Sequence, residues 1–385
     1  MDPGVEFAGR AREFWGVVFA LLLLATGASA QVIDAWDYPT VQDAIDAAPD
    51  GAVVVGGVST GVVIRRPITL LGTVFDRDID PSSGPWREFI GLGGAGRGEV
   101  VLAHIQIPRF YVSGCCRSEV GPAVSGGGFE ALRIYDSTIH ATQLSAYDGR
   151  AFGVQGVNVG VPYLVIERSV ISGSSTDDAY PAGAAPSGDA VLAPRSTAVL
   201  LDSVITGGSG GVFGFESDGC WPWMYDQARG GHGVVARRVI TSGCQIIGGD
   251  CGEIFYSHRL GLPPEKQCPP GAPAAPIDAG ARVIELSEEL VLLDEVQRGS
   301  TFRIAYTGND TALLLAARKW RTPLSFGETG LLFLGDGRWS TGVILPGGIR
   351  SFSVPPAYAL TGQEIAFQAF SPASGLTRPV TGVIR

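Results

Sequence analysis

Lysine is nearly absent from this chain of 385 residues, in which Lys266 and Lys319 are the only two. Charged residues of all kinds make up 17%, and 38 acidic residues outweigh 28 basic ones to give a formal net charge of −10. Recognition of phosphate needs clustered Lys and Arg side chains. The composition therefore argues against nucleic acid or anionic lipid as the partner.

Long apolar runs are equally scarce, and none after residue 25 reaches the roughly 18 residues needed to cross a bilayer. The one notable run, Phe14–Ala25, follows Arg10 and Arg12 and precedes an Ala-x-Ala cleavage pattern ending at Ala30. This order is typical of an export signal. We predict a cleaved signal peptide over residues 1–30 and a secreted protein, extracellular or attached to the cell surface, with no membrane insertion after cleavage. An uncleaved anchor is the alternative.

Cysteine is infrequent, and the paired CxxC spacing of zinc sites is missing. In an oxidising compartment an even number of cysteines favours disulfides. We expect the last four cysteines to pair among themselves, in a connectivity that spacing leaves open: Cys220, Cys244, Cys251 and Cys268. Cys115 and Cys116 either pair elsewhere, stay free or form a vicinal bond.

Glycine, by contrast, is abundant, with 55 residues and no Gly-X-Y period. Four segments repeat one pattern, and each ends in isoleucine: Leu132–Ile139, Leu164–Ile171, Ala198–Ile205 and Gly233–Ile240. Two looser matches extend the predicted row to Ile68, Ile105, Ile139, Ile171, Ile205 and Ile240, at intervals of 32 to 37 residues. Five positions earlier stand Val63, Val100, Ile134, Ile166, Leu200 and Val235, which are all apolar.

The repeat predicts stacked coils of parallel strands, in which each coil adds one inward side chain to each row. Helical repeats of similar length need long amphipathic helices, whereas Gly, Ser and Thr follow these strands and indicate turns. Three residues before the last four isoleucines lie residues of alternating charge, which predict an external ion-pair ladder: Asp136, Arg168, Asp202 and Arg237.

The start of the mature chain, Thr40–Val55, and the segment Ile68–Gly72 resemble the pectate-lyase-like family of right-handed parallel β-helices, as found in secreted bacterial proteins. The resemblance implies an all-β fold, with a short amphipathic helix capping the N-terminal end of a β-helix over residues 31–260. Members of the family commonly act on acidic polysaccharides.

Composition changes after residue 260. Prolines crowd residues 261–280 and predict a semi-rigid linker. Residues 281–385, which contain no His or Cys, predict a β-sandwich-like module. Its predicted strands are Arg282–Glu285, Leu290–Leu293, Thr301–Tyr306, Ala312–Ala317, Gly330–Leu334 and Glu364–Phe370.

Coils of this length have surplus chain for loops, which often carry function. If the loops leave one corner of each coil, they form a wall beside a long groove. The loop Phe213–Asp226 is the most distinctive. Its aromatic side chains suit sugar stacking and its carboxylates suit sugar hydroxyls: Trp221, Trp223 and Tyr225 with Glu216, Asp218 and Asp226. Alternatively, the aromatic residues fold back as a small core beside Cys220.

Catalytic sets are incomplete. Polygalacturonase-type hydrolases resemble this chain at Asp177, Asp178 and His232, within Thr-Asp-Asp and Gly-His-Gly, but their Asn-Thr-Asp and Arg-Ile-Lys elements are missing. The alternative interpretation is that Asp177 and Asp178 form the acidic tip of a loop and that His232 begins a strand. Polysaccharide lyases need a basic residue, for which only Arg150, Arg195 and Arg229 offer themselves.

Calcium is the only cofactor that the sequence suggests, through the spaced carboxylates of Asp76–Asp80, and none is required. An EF-hand is excluded there because Pro81 occupies the glycine position. The leading interpretation is a secreted β-helix protein that binds an extended polymer, a polysaccharide above all, or a surface. The alternatives are a polysaccharide lyase or glycoside hydrolase, and a structural surface or matrix protein.

Overall fold

The computed structural model describes residues 30–76, 88–94, 97–114, 121–146, 154–175, 187–210, 213–215, 229–251, 254–256, 273–287, 289–317, 320–325, 331–334 and 339–385. The predicted signal peptide, apart from Ala30, and residues 261–272 of the predicted linker lie outside these ranges. The described chain is mostly β-strand and forms two compact units, one centred on Val54–Ile284 and one on Glu285–Arg385. Within the described residues no helix is long and apolar enough to span a membrane.

A short helix, α1 (Val41–Ala47), opens the first unit after a 3-10 turn at Ala35–Asp37. Thr40 caps it, because its Oγ accepts a hydrogen bond from the Asp43 N–H at 3.1 Å. Its apolar stripe is buried, as the spacing of Val41 and Ile45 predicts. The helix is tied to the strands by Gln42, whose amide bonds both the N–H and the carbonyl of Val63.

The largest sheet has 13 strands and is a curled, parallel sheet made of two adjoining rows. Row A comprises β4 (Val62–Ile64), β7 (Ile90–Gly93), β11 (Val124–Gly127), β15 (Val157–Gly160) and the first halves of β18 (Val191–Leu201) and β21 (Val234–Ser242). Row B comprises β2 (Val53–Val55), β5 (Thr69–Leu71), β8 (Glu99–Ala103), β12 (Ala131–Tyr135), β16 (Tyr163–Glu167) and the second halves of β18 and β21. β1 (Val32–Asp34) flanks β2, and β24 (Arg282–Glu285) pairs with β21.

A second parallel sheet of seven strands forms row C. Its strands are β3 (Val58–Ser59), β6 (Val74–Phe75), β9 (Gln106–Ile107), β13 (Thr138–His140), β17 (Val170–Ser172), β19 (Val204–Thr206) and β22 (Gln245–Ile247). The chain visits rows A, B and C in that order on each passage. Two further parallel pairs join β10 (Tyr111–Gly114) to β14 (Gln143–Ala146) and β20 (Phe213–Phe215) to β23 (Ile254–Tyr256).

Stacked apolar columns fill the space inside the rows. Ile134, Ile166 and Leu200 are in register and fully buried, as predicted. Each such side chain contributes about 2 kcal/mol by leaving water. Row C stacks Phe75, Ile107, Ile139, Ile171 and Ile205 in the same way, followed by Ile246.

The predicted columns are wrong at their ends. Ile240 does not follow Ile205, because β21 is one long strand that crosses from row A to row B, and Ile240 pairs with Val199 there. Ile246 takes the expected place. At the other end, Ile107 rather than Ile105 pairs with Ile139, and Leu102 rather than Val100 pairs with Ile134. Val63 and Val235 both lie in row A, where they pair with Gly91 and Leu192.

The corner between rows B and C is a column of left-handed backbone. His104, Asp136, Arg168 and Asp202 all have φ between 47° and 53°, and the column ends in glycine at positions 72 and 243. Non-glycine residues adopt this conformation rarely, Asp and His more readily than most. Their backbone is held in this conformation because each N–H donates a hydrogen bond to a carbonyl of the next coil, as the Asp136 N–H does to the Glu167 carbonyl.

The first step of the predicted ion-pair ladder is confirmed. Arg168 forms two hydrogen bonds to Asp136, at 2.7 and 2.9 Å. Arg237 does not belong to this column, because Gly243 occupies the corner after Asp202.

A ladder of hydroxyl groups, which the sequence analysis missed, runs beside this corner. The Oγ of Ser169 donates to the Glu167 carbonyl at 2.9 Å and accepts from the Ser137 N–H at 3.1 Å. Ser203 repeats both bonds one coil further on. Cys244 takes the last place, with its thiol 3.4 Å from the Ser242 carbonyl. The ladder thus satisfies buried backbone groups that the turn leaves unpaired.

The second unit consists of antiparallel sheets. One contains β25 (Leu290–Leu292), β26 (Thr301–Tyr306) and β31 (Ile349–Ser353); another contains β27 (Ala312–Ala317), β30 (Trp339–Ile344), β32 (Glu364–Ser371), β33 (Gly375–Leu376) and β34 (Val380–Val383); β28 (Trp320–Ser325) pairs with β29 (Leu331–Leu334). A 3-10 turn covers Tyr358–Leu360. Five of the six predicted strands are found here, whereas the first, β24, pairs with β21 instead.

The two larger antiparallel sheets share one hydrophobic core. Phe302, Phe352 and Phe367 contact one another at its centre, with ring centroids 5.0 to 5.8 Å apart. Alternate residues of β26 and β27 point into this core, as the period of two for a strand with one buried face requires.

Candidate functional site

His232 lies immediately before β21, at the corner where the chain enters row A. Its N–H donates to Asp189 Oδ1 at 2.7 Å, and its Nδ1 is 3.0 Å from the Ala275 carbonyl oxygen. A carbonyl only accepts, so Nδ1 carries the proton. In the neutral imidazole Nε2 is therefore the acceptor. This ring is half-buried.

Asp189 is a residue that the sequence analysis missed. Burial raises the pKa of its carboxyl, and the His232 N–H offsets part of that effect. A carboxyl that stays protonated to higher pH than usual is suited to act as a general acid. It lies 43 residues before His232 in a Ser-Gly-Asp-Ala context, so no sequence pattern connects the two.

Two further charges act on this carboxyl. Arg229 lowers the pKa of Asp189 and Asp278 raises it. The backbone of Arg229 is fixed because its carbonyl accepts from Ser187 Oγ at 2.7 Å, and the Gly280 N–H donates to Asp278 Oδ2 at 3.3 Å. The corner therefore brings Asp189 and His232 together with groups of both signs of charge within one region of row A.

A column of backbone hydrogen bonds, here named the glycine column, holds this corner together. Each member accepts from the N–H of the next, at 2.8 to 3.1 Å: Val154, Ser174, Gly188, Gly208, Gly231, Gly249 and Ala274. The chains are so close that a Cβ on Gly188 would stand 1.9 Å from the Val154 carbonyl oxygen. Only glycine allows this approach.

The glycine column also closes the loops. The chain leaves the stack of coils after Ser174 and returns to it at Gly188. The Gly188 N–H donates a hydrogen bond to the Ser174 carbonyl at 3.1 Å. Gly208 and Gly231 close the next excursion at 2.8 Å, and Gly249 and Ala274 the one after at 3.1 Å. These three excursions of the chain therefore begin and end at one corner.

Most of the predicted site residues lie outside the described part of the chain. Among the predicted catalytic residues this applies to Asp177 and Asp178, so only His232 has a known position. It applies equally to the predicted ligand-binding residues: Trp221, Trp223, Tyr225, Glu216, Asp218 and Asp226.

Cys244 and Cys251 carry free thiols, which contradicts the expectation that these two residues take part in disulfides. The physical reason at Cys244 is its place in the hydroxyl ladder, where the sulfur bonds the backbone in place of a serine oxygen. Burial raises the pKa of this thiol, which disfavours the reactive thiolate. Cys220 and Cys268 lie outside the described residues.

No group of three or more His, Cys, Asp or Glu side chains is arranged to hold a metal ion within the described ranges. Of the predicted calcium ligands, Asp76 is exposed, and Asp78 and Asp80 are not described.

Comparisons of this chain with protein-family models, with curated proteins and with solved structures gave no match.

Proposed function

We propose that this chain is a secreted, right-handed parallel β-helix protein that binds an extended polysaccharide along its side. The three rows of parallel strands, which the chain visits in a fixed order, support the β-helix. Helix α1 is then the cap that covers one end of the stack. The two antiparallel sheets around one core support a C-terminal β-sandwich.

The glycine column is the observation that carries this proposal. It lines up the bases of successive loops along one corner, roughly one strand spacing of about 4.8 Å per coil. A ligand that contacts several such loops in turn has to be long and extended. The excursion that leaves at Gly208 carries Trp221, Trp223 and Tyr225, whose rings suit stacking on sugars, and Glu216, Asp218 and Asp226, which suit sugar hydroxyls.

Co-sedimentation and affinity electrophoresis of the secreted protein with a panel of polysaccharides test the proposal. We expect binding to at least one polymer, and a loss of tenfold or more in affinity in the double variant Trp221→Ala, Trp223→Ala. Trp36→Ala is the matched control, because Trp36 is 69% exposed and lies in the segment before α1. Absence of binding to every polymer contradicts the proposal and favours a structural surface or matrix protein.

Secretion has its own test. The amino terminus of protein collected from the culture medium should begin at Gln31 if the signal ends at Ala30. Protein retained in the cell with an intact amino terminus would contradict this part of the proposal.

Glycoside hydrolysis is the second candidate function, and the Asp189–His232 pair favours it. The protonated carboxyl of Asp189 would donate its proton to the glycosidic oxygen as that bond to the anomeric carbon breaks. Water, deprotonated by His232 Nε2, would attack the anomeric carbon and invert it. Release of reducing ends by the wild type, abolished in Asp189→Asn and in His232→Ala, would establish this activity. Turnover lost only in Asp177→Ala or Asp178→Ala would place the chemistry in the loop instead, and a product with an unsaturated ring would indicate a lyase.

A further inference from the structure

Row C presents an outward column of side chains that is unusually apolar for a surface. Val58, Val74, Val170 and Val204 stand on it in register and are 36 to 53% exposed. Gln106, Thr138 and Gln245 fill the remaining positions of the column. A single exposed valine needs no explanation, whereas this column holds two pairs of adjacent valines, Val58 with Val74 and Val170 with Val204.

The outward residues of row B differ from those of row C in exposure. On row B the outward residues Tyr135 and Glu167 are buried to 0% and 1% exposure. The outer face of row B is thus covered, and that of row C is open to solvent.

The next outward column of row C is polar but also lacks fixed charge. It contains His140, Ser172, Thr206 and Ile247 in register. His140 Nδ1 lies 2.7 Å from Ser172 Oγ, and burial, with a smaller effect from nearby Arg109, lowers the pKa of this imidazole. The ring is therefore neutral at neutral pH, and so is the two-column surface. We name these two columns the row C face.

We propose that the row C face docks an uncharged, extended polysaccharide, one whose sugars carry neither carboxylate nor sulfate. The inference deepens the proposed function and rests on it. Valine methyl groups pack on the apolar faces of sugar rings, while the amides and hydroxyls of Gln106, Thr138 and Thr206 bond sugar hydroxyls.

Charge selects the class of polymer. Residues 31–280 contain 26 acidic and 16 basic residues, so this part of the chain repels polyanions at long range. Among the described residues, the two columns of the row C face contain no cationic side chain to bind a uronate or a sulfate ester, and Arg109 lies beside them. An acidic polysaccharide therefore gains no ion pair on this face and is repelled at long range, whereas a neutral polysaccharide is not repelled.

Geometry selects an extended ligand. Seven strands at a spacing of about 4.8 Å give the column a length of roughly 29 Å. The repeat along that length is regular, and a regular row of equivalent contacts suits a polymer of identical units better than an irregular protein surface.

The test uses the full secreted chain with microcrystalline cellulose, chitin and barley β-glucan as neutral polymers, and polygalacturonate as the acidic one. We expect binding to at least one neutral polymer and at least tenfold weaker binding to polygalacturonate. The double variant Val170→Glu, Val204→Glu should lose tenfold or more of the neutral binding. Leu313→Glu with Val343→Glu is the matched control, since both residues are exposed and lie in the second unit. It should retain wild-type binding within twofold.

Each other outcome is decisive. If the wild type binds a polymer but the Val170/Val204 variant binds it equally well, the row C face is not the site, while the proposed function survives through Trp221 and Trp223. Preference for polygalacturonate overturns the choice of a neutral ligand. A wild-type dimer in light scattering that this variant converts to a monomer would show that the face binds a second copy. A variant with altered circular dichroism is replaced by Val170→Thr, Val204→Thr, which should weaken binding at least threefold.

Discussion

Arg168 reaches back across one coil and holds Asp136 through two hydrogen bonds, at 2.7 and 2.9 Å. The same guanidinium bonds Glu167, whose side chain is only 1% exposed. Both carboxylates raise the pKa of Arg168, against the opposing effect of burial. One cation thus compensates two carboxylates at a left-handed corner.

Removing this cation should be costly. Arg168→Ala removes a cation that bonds both the buried Glu167 carboxylate and Asp136, and we expect a loss of roughly 3–5 kcal/mol in the free energy of unfolding. Urea denaturation followed by circular dichroism measures it. Arg303→Ala is the matched control, because Arg303 holds Asp294 with the same two-bond geometry at an exposed site. It should leave the unfolding midpoint unchanged; equal losses in both variants would contradict the assignment.

The hydroxyl ladder predicts a second effect. Ser169→Ala deprives the buried Ser137 N–H of its acceptor, which should cost about 1–3 kcal/mol. Ser300→Ala, which removes an exposed turn hydroxyl, should change stability very little. If both variants unfold at the same urea concentration as the wild type, the ladder does not stabilise the corner.

Cys244 offers a chemical test of the same ladder. Its buried thiol, with a raised pKa, should react slowly with iodoacetamide in the native, unreduced protein and quickly after unfolding without reductant. Peptide mass mapping follows the reaction. Failure to react in denaturant until a reductant is added would mean that Cys244 is in a disulfide.

The glycine column predicts a steric effect. Gly188→Ala places a methyl group against the Val154 carbonyl, and we expect a loss of at least about 2 kcal/mol or failure to fold. Gly160→Ala is the control, because nothing lies within 4 Å of its added Cβ. Thermal unfolding of the two variants should therefore differ clearly, and equal melting temperatures would contradict the close packing of this corner.

Asp189 predicts a pH dependence. Because its pKa is raised above 3.8 on folding, the folded state binds more protons than the unfolded state between those two values. Stability contributed by this group is then lost as the pH rises through that window. Asp189→Asn keeps the acceptor for the His232 N–H and removes the titration, so its stability relative to wild type should increase as the pH rises.

Asp294 supplies the control of opposite sign, because its bonds to Arg303 lower its pKa. Asp294→Asn should therefore lose stability relative to wild type as the pH rises, by a small amount at this exposed site. Melting temperatures between pH 3 and 7 measure both trends. Parallel curves for wild type and Asp189→Asn would show that the carboxyl is not perturbed.

The sequence predicted the middle of the stack better than its ends. Ile134, Ile166 and Leu200 repeat at almost constant spacing, so their alignment follows from pattern alone. The alignment failed at Ile240 because a long apolar strand, β21, has the same composition as the two shorter strands that it replaces. Only the hydrogen-bond register of the folded chain distinguishes one long strand from two short ones.

Other features were visible but not interpreted. Serine follows each charged corner residue at 137, 169 and 203, and that recurrence could have suggested the hydroxyl ladder. Asp189 gave no such signal, because its raised pKa arises from burial in the folded chain, and the His232 N–H that bonds it lies 43 positions away. Physical proximity of this kind is a property of the folded chain and not of a local pattern.

The glycine column has one more consequence. Since the two ends of each excursion are already joined by a backbone hydrogen bond, the length and sequence of the intervening segment impose little strain on the strands beneath. Segments such as 176–186 can therefore be exchanged or lengthened without altering the register of their coil. The scaffold can therefore stay the same while these segments diverge in sequence.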